Sequence, residues 1–236
     1  MKADKELVEK MKKNAALEAV KHVQDDFVVG LGSGSTAAYA IEAIGDRIKK
    51  EKMRVLGVPT SYQAFTLAVE HGIQITTLDE HPQLDLTIDG ADQIDEELNL
   101  IKGMGGALAR EKTVASASKK VIIVADESKK VKLLGENDHP VPIEVLPFAA
   151  SIVAQKVKEI GGKPVMREGV KKVGPVVTDN GNFIIDAHFG IIRKPIELEQ
   201  KLKSIVGVVE TGLFIELAGI VYIGKPDTIE KIGKRK

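Results

Sequence analysis

Residues 27–36 read Phe27-Val28-Val29-Gly30-Leu31-Gly32-Ser33-Gly34-Ser35-Thr36. A short apolar strand runs into a Gly/Ser/Thr turn, and a helix-compatible stretch follows from about Ala37 to Lys50. The unit repeats down the first half of the chain. Arg54–Val58 reads as a second strand, and Ser61 caps a helix to about Glu70. Ile73–Thr76 and Asp85–Ile88 are further strands, a helix covers about Ala107 to Ser118, and Val121–Ala125 is a fully apolar strand. Short apolar strands alternating with helices predict a doubly wound, mostly parallel sheet of Rossmann-like type. The N-terminal stretch, with Leu7, Val8, Met11, Ala15 and Ala19 at helical spacing, predicts an amphipathic helix.

Past about Leu133 the order changes. Val141–Val145 is strand-like, Pro147 opens a helix to about Ile160, and Pro164–Met166 is a strand. Val176–Thr178 leads through Asp179-Asn180-Gly181-Asn182 into Phe183–Asp186, Pro195 opens a helix to about Ser204, and Val206–Val209 follows. β-α-β-β-α-β is the ferredoxin-like order. Ile220–Ile223 reads as a strand returning to the first sheet. The expected organisation is therefore a Rossmann-like domain over 1–130 and 210–236, with an inserted ferredoxin-like α+β domain over 131–209.

Composition narrows the function classes. The 236 residues carry 34 basic and 34 acidic side chains, so no bulk charge favours nucleic acid or membrane, and any anion site must be local. No cysteine is present, which removes disulfides and thiolate chemistry and fits a reducing, cytoplasmic setting. The N-terminus has no apolar core of a secretory signal, and no apolar run approaches a membrane span. The five histidines show no metal-ligand spacing.

Four segments carry candidate chemistry. Gly32–Thr36, a turn between strand and helix, presents N–H groups and hydroxyls to an anion. It lacks the lysine of a nucleotide P-loop, and the third glycine of a dinucleotide fingerprint would fall at Ser35. Plain capping by Ser35 and Thr36 is the alternative. Asp89-Gly90-Ala91-Asp92, with Asp95, follows a strand, where open α/β sheets bind ligands; turn chemistry or a magnesium site would use the same residues. Lys102-Gly103-Met104-Gly105-Gly106 combines a point charge with backbone donors for an oxyanion, or is a solvated loop. Glu111 falls on the face shared by Met104, Ala107, Leu108, Val114, Ala115 and Ser118. A carboxyl there has its pKa raised towards neutrality, as a general base needs, unless it is simply paired with a cation. Lys129 follows Val121–Ala125 and could reach a phosphate, or be a solvated loop lysine.

Together, Gly32–Thr36, Asp89–Asp92, Lys102–Leu108 with Arg110-Glu111-Lys112, and Asp126-Glu127-Ser128-Lys129 resemble ribose-5-phosphate isomerase type A. The resemblance runs nearly end to end, through Val177–Asn182 and Gly207–Phe214. Met104 stands where many members carry Gly, and Gly106 where Ala is common. The family implies a cofactor-independent enzyme of the pentose phosphate pathway, and the chemistry needs no metal in principle. It interconverts D-ribose 5-phosphate and D-ribulose 5-phosphate through an enediolate, as a homodimer or homotetramer. By that resemblance Glu111 moves the proton between C2 and C1, and Asp89 serves ring opening. Asp92 and Lys102 hold the sugar and the enediolate. Ser33, Gly34, Ser35, Thr36, Asp89, Gly90, Ala91, Asp92, Lys102, Gly103, Met104, Gly105 and Lys129 line the substrate. Two other classes use related folds. A sugar-phosphate sensor would bring a DNA-binding module, against which the balanced charge and the lack of a spare N-terminal domain weigh. A deaminase or lactonase would need a different constellation, often with histidine.

Overall fold

The computed structural model describes residues 2–233, with side chains from residue 4. In chain order its helices are α1 (Lys2–Val20), α2 (Ser35–Glu51), α3 (Tyr62–Glu70), α4 (Leu108–Ser116), α5 (Ala150–Glu159) and α6 (Pro195–Lys203). Its strands are β1 (Phe27–Leu31), β2 (Val55–Pro59), β3 (Gln74–Ile75), β4 (Leu86–Asp89), β5 (Gln93–Ile94), β6 (Leu100–Ile101) and β7 (Val121–Asp126). They continue with β8 (Val141–Val145), β9 (Lys163–Met166), β10 (Phe183–His188), β11 (Val208–Thr211), β12 (Leu213–Phe214), β13 (Ile220–Gly224) and β14 (Ile229–Gly233). The chain divides into two compact units, one of Met1–Ala91, Arg110–Lys130 and Leu217–Lys236, the other of Asp92–Ala109 and Val131–Glu216.

The first unit is the Rossmann-like one. Its sheet has the order β14-β13-β7-β4-β1-β2-β3, parallel except for the edge strand β14. Every residue of β4 and β7 is buried, as expected of strands covered on both faces. On one face α1, α2 and α3 supply Ala15, Ala19, Ile41, Ile44, Ala64 and Ala68 to a core with Val29, Leu31, Ile88 and Val124. On the other, Val114 of α4 packs with Val28, Val58 and Leu84. The apolar stripe of α1 continues through Ala16 and Val20, while Leu7 is exposed.

The second unit holds a four-stranded antiparallel sheet of order β11-β8-β10-β9, the ferredoxin-like arrangement, with α5 and α6 as its helices. Ile143, Val145, Val153, Val157, Ile185 and Leu202 centre its core. A three-stranded sheet, β12-β6-β5, also belongs here, so residues 92–109 pack with this unit rather than with the parallel sheet.

Several expectations are corrected. Val176–Thr178 reaches the 179–182 turn outside the sheet: Val176 donates to Arg167 O at 2.8 Å, beside one isolated bridge, Glu168 to Pro175. Pro147 opens a 3-10 turn, Pro147–Ala149, before α5 begins. Helix α4 starts at Leu108, because Gly103 and Gly106 take left-handed conformations that break the helical phase. Met104 therefore lies outside the helix and is exposed.

Candidate active site

In the first unit the chain leaves β1 towards β2 and β3 on one side, and passes to β4, β7 and β13 on the other. The order reverses between β1 and β4. Open α/β sheets hold ligands outside the strand C-termini at such a reversal. Gly32–Thr36 leaves β1 there, and Asp89–Ala91 ends β4 there.

Asp89 is 2% exposed, and its Oδ1 accepts from the N–H groups of Ser33 (3.0 Å) and Gly90 (2.7 Å). The carboxylate thus ties the two strand ends together. Gly32 makes this approach possible, since a Cβ there would lie 2.2 Å from Asp89 Oδ1 and 2.5 Å from its Cα. Ser33 Oγ sits 2.8 Å from Thr60 Oγ1 and 2.6 Å from Ser61 Oγ. Ser61 Oγ accepts from Ala64 N–H at 3.1 Å and so caps α3. Gln63 Oε1 accepts from Gly34 N–H at 2.9 Å. Among the described residues no side chain caps α2, so the N–H groups at Ser35 and Thr36 open its positive end to an anion. Thr60, Ser61 and Gln63 were not read as site residues from sequence, although Thr60 and Ser61 follow β2, the neighbour of β1. The strand-end rule applied to Asp89 would have found them.

Glu111 is 4% exposed, in the first turn of α4, and Val114 and Ala115, three and four residues on along the same helix, are buried too. The helix direction is set at its other end. Leu84 N–H donates to Ala117 O at 2.9 Å, and Ser118 Oγ lies 2.6 Å from Thr87 Oγ1, beside the start of β4. The opposite, first turn of α4 then lies at the C-terminal end of β4. Asp89 and Glu111 share that edge. Arg110 lies over the Tyr62 ring, 5.2 Å from its centroid. Lys129 belongs to the turn Glu127–Lys129 after β7, at the same sheet edge and half-buried. Asp126 begins that turn by accepting from Ser128 N–H at 3.0 Å.

Asp92, Lys102, Gly103, Met104 and Gly105 lie in the second unit. Asp92 Oδ2 accepts from Met104 N–H at 3.0 Å, so the aspartate and the glycine loop form one structure. Lys102 is 3% exposed. Its N–H donates to Gly212 O at 2.9 Å, and its ammonium stands 5.4 Å from the centre of the Phe214 ring. It is not a solvated loop lysine. Gly103 needs φ +104°, and a Cβ there would come within 2.9 Å of Leu108 Cβ. The Gly103 and Met104 carbonyls accept from Arg167 Nη1 at 2.8 and 3.0 Å. Arg167 had no signal in the sequence, because only the β9–β10 pairing brings it to this loop.

Asp95 separates from its two neighbours. It accepts from the N–H groups of Glu97 (2.9 Å) and Asn99 (2.8 Å) and from Asn99 Nδ2 (3.0 Å), closing the β5–β6 turn. Burial pushes its carboxyl above the ordinary aspartate range, against those donors. Among the described residues no three His, Cys, Asp or Glu side chains cluster so as to hold a metal ion. Among them, too, no helix is long and apolar enough to cross a membrane.

A family model, ribose 5-phosphate isomerase A (phosphoriboisomerase A), matches residues 56–228. The chain belongs to the ribose 5-phosphate isomerase A family. A ribose-5-phosphate isomerase A of Methanosarcina acetivorans is 51% identical over 225 residues, which cover 95% of this chain and 94% of that protein. The solved ribose 5-phosphate isomerase A of Methanocaldococcus jannaschii superposes with a TM-score of 0.92 at 44% identity, covering 96% of this chain and 99% of that one. A D-ribose-5-phosphate isomerase solved in complex with phospho-erythronic acid gives 0.93 at 46% identity, with the same coverage. This isomerase family is thus represented here over nearly the whole chain, in both fold and sequence.

Proposed function

We propose that this isomerase-family enzyme interconverts D-ribose 5-phosphate and D-ribulose 5-phosphate in the pentose phosphate pathway, with Glu111 as the base. Asp89 assists opening of the furanose ring to the aldehyde. The Glu111 carboxylate then removes the proton from C2, and the electron pair moves towards the aldehyde oxygen to give the enediolate. Returning the carbon-bound proton to C1, while the O2 proton passes to O1 and C2 becomes the carbonyl, completes the ketose. Lys102 and the Gly103–Gly105 backbone stabilise the charge on the enediolate oxygens, and Asp92 holds sugar hydroxyls. Ser33 to Thr36 and Lys129 take the phosphate end, with Gly90 and Ala91 lining the sugar. The uncapped start of α2 suits that charge.

The observation that carries this reading is a glutamate 4% exposed in the first turn of a helix, at the strand edge where Asp89 is held by two N–H groups. Burial in such a setting suits a carboxylate that must accept a carbon-bound proton. A similar isomerase has been solved with phospho-erythronic acid, an anion whose carboxylate resembles the enediolate. The pathway chemistry supports a cytoplasmic enzyme, and the family supports a homodimer or homotetramer.

The test is a direct assay of ketose formation from D-ribose 5-phosphate by the wild type and Glu111→Gln, each with and without EDTA. We expect wild-type turnover that survives chelation, and a loss of about 10³-fold or more in the variant with the fold intact. No wild-type turnover would overturn the substrate assignment. Full activity in the variant would remove Glu111 from the role of base, and a loss on chelation restored by magnesium would bring back the metal reading of the aspartates.

A further inference from the structure

Arg167 follows β9 directly, and its whole guanidinium is engaged. Nε donates to Asp186 Oδ2 at 2.8 Å and Nη2 to Asp186 Oδ1 at 2.5 Å, a two-pronged pair that fixes the plane of the group. Asp186 lies in β10, beside β9. Both side chains are largely buried, 13% and 16% exposed. The remaining prong, Nη1, donates to two consecutive carbonyls, Gly103 O at 2.8 Å and Met104 O at 3.0 Å.

We infer that Arg167, clamped by Asp186, is a positioning residue for the isomerisation: it orients the Gly103–Met104 and Met104–Gly105 peptides so that their N–H groups serve Asp92 and the sugar. In a trans peptide the C=O and N–H point in opposite directions, and no cis bond occurs among the described residues. Holding the Gly103 carbonyl therefore turns Met104 N–H away from the guanidinium, and that N–H reaches Asp92 Oδ2 at 3.0 Å. Holding the Met104 carbonyl likewise turns Gly105 N–H away. Flanking glycines offer little resistance to a peptide flip; Gly106 N–H, donating to Gly103 O at 3.0 Å, restrains the first peptide, and the guanidinium adds a constraint on both. A positive group on each carbonyl also polarises the peptide and strengthens its N–H as a donor. A lysine could not do the same, because a point charge lacks the planar fork that grips Asp186 on one edge and the loop with another. The inference rests on the reading that Asp92 and the Lys102–Gly105 loop hold substrate.

The experiment compares the full-length wild type with Arg167→Met, Arg167→Lys and Asp186→Asn. Steady-state kinetics on D-ribose 5-phosphate are read beside amide hydrogen exchange at Met104 and Gly105 and thermal unfolding. Arg167→Met should lower kcat/KM by about 10- to 100-fold, mainly through kcat. Exchange at Met104 and Gly105 should rise while the β8–β10 amides stay protected. Arg167→Lys should fall between Met and wild type, and Asp186→Asn should shift the same two readouts in the same direction by less. Should Arg167→Met fail to fold, the Lys and Asn variants decide by the same criteria. A folded variant with kcat/KM within twofold of wild type, or a loss that follows only the folded fraction, would overturn the positioning role. With an active wild type, that result leaves the functional reading standing; an inactive wild type overturns both.

Discussion

Two glycine-rich loops are built on opposite principles. Gly32–Thr36 is held by its neighbours along one sheet edge: the Asp89 carboxylate, the Thr60 and Ser61 hydroxyls and the Gln63 amide. Each partner sits at a strand end, or in the helix turn beyond it, next to β1, so the parallel topology delivers them all. Lys102–Gly106 follows β6, a strand of two residues, and the side chain that grips its carbonyls stands 63 residues beyond Met104. The first loop is held by side chains of adjoining strand ends, packed so close that a Cβ at Gly32 would meet Asp89. The second is rigid because a distant cation holds it, and that constraint can be removed by one substitution without touching the core.

Paired glycine variants press this contrast hardest. Gly32→Ala forces a Cβ onto the Asp89 main chain, and we expect a loss of about 3 kcal/mol in urea unfolding. A Cβ at Gly105 would meet nothing within 4 Å, so Gly105→Ala should stay within about 0.5 kcal/mol of wild type. Equal effects would erase the distinction between the loops.

The second unit contains another distant clamp, and it should cost less to break. Glu144, fully buried in β8, accepts on Oε1 from Thr178 Oγ1 (2.9 Å), Asn180 Nδ2 (2.9 Å) and Asn182 Nδ2 (2.8 Å). Glu144→Ala strands these donors and should destabilise by about 2 kcal/mol in thermal unfolding. An unchanged midpoint would mean the 178–182 turn holds itself, through Gly181 N–H to Thr178 O, Thr178 N–H to Asn182 O, and the N–H groups of Asn180 and Asn182 to Thr178 Oγ1.

The smallest effect belongs to the first unit and is seen only with pH. His22 Nε2 lies 2.8 Å from Tyr222 Oη, and Lys120 Nζ lies 3.1 Å from His22 Nδ1. Burial first, then the Lys120 and Lys231 charges, hold the imidazole below the usual histidine range, with Glu18 opposing. The unfolded chain therefore takes up this proton at higher pH than the folded one. The contribution to stability is complete above about pH 6.5 and is lost as pH falls towards the folded pKa. His22→Gln should flatten the stability curve just below pH 6.5; an unchanged slope would place the titration elsewhere.

What could be read in advance follows the same division. Strands β1 and β8 match the expected Phe27–Leu31 and Val141–Val145 residue for residue, because buried strands are apolar runs bounded by a turn or a change of composition. Glu111 was legible because one helical turn relates it to Leu108 and Val114 on a buried face. Met104 was carried onto that face by extending the period back through the left-handed Gly106, where it does not apply. The two-residue strands β5, β6 and β12 have no period to detect. Val176–Thr178 has strand composition, yet Val177 is half exposed because this arm runs outside the sheet. Arg167 is one basic residue among 34 until the β9–β10 register is known.

The central claim is that Glu111 moves a carbon-bound proton through an enediolate. Isomerisation in deuterium oxide, followed by NMR at C1 of ribulose 5-phosphate and C2 of ribose 5-phosphate, tests it directly. The wild type should introduce solvent deuterium at these carbons as it equilibrates the two sugars, and Glu111→Gln, folded to the same degree, should lose exchange and isomerisation together. Deuterium incorporation by the variant at the wild-type rate would contradict the assignment.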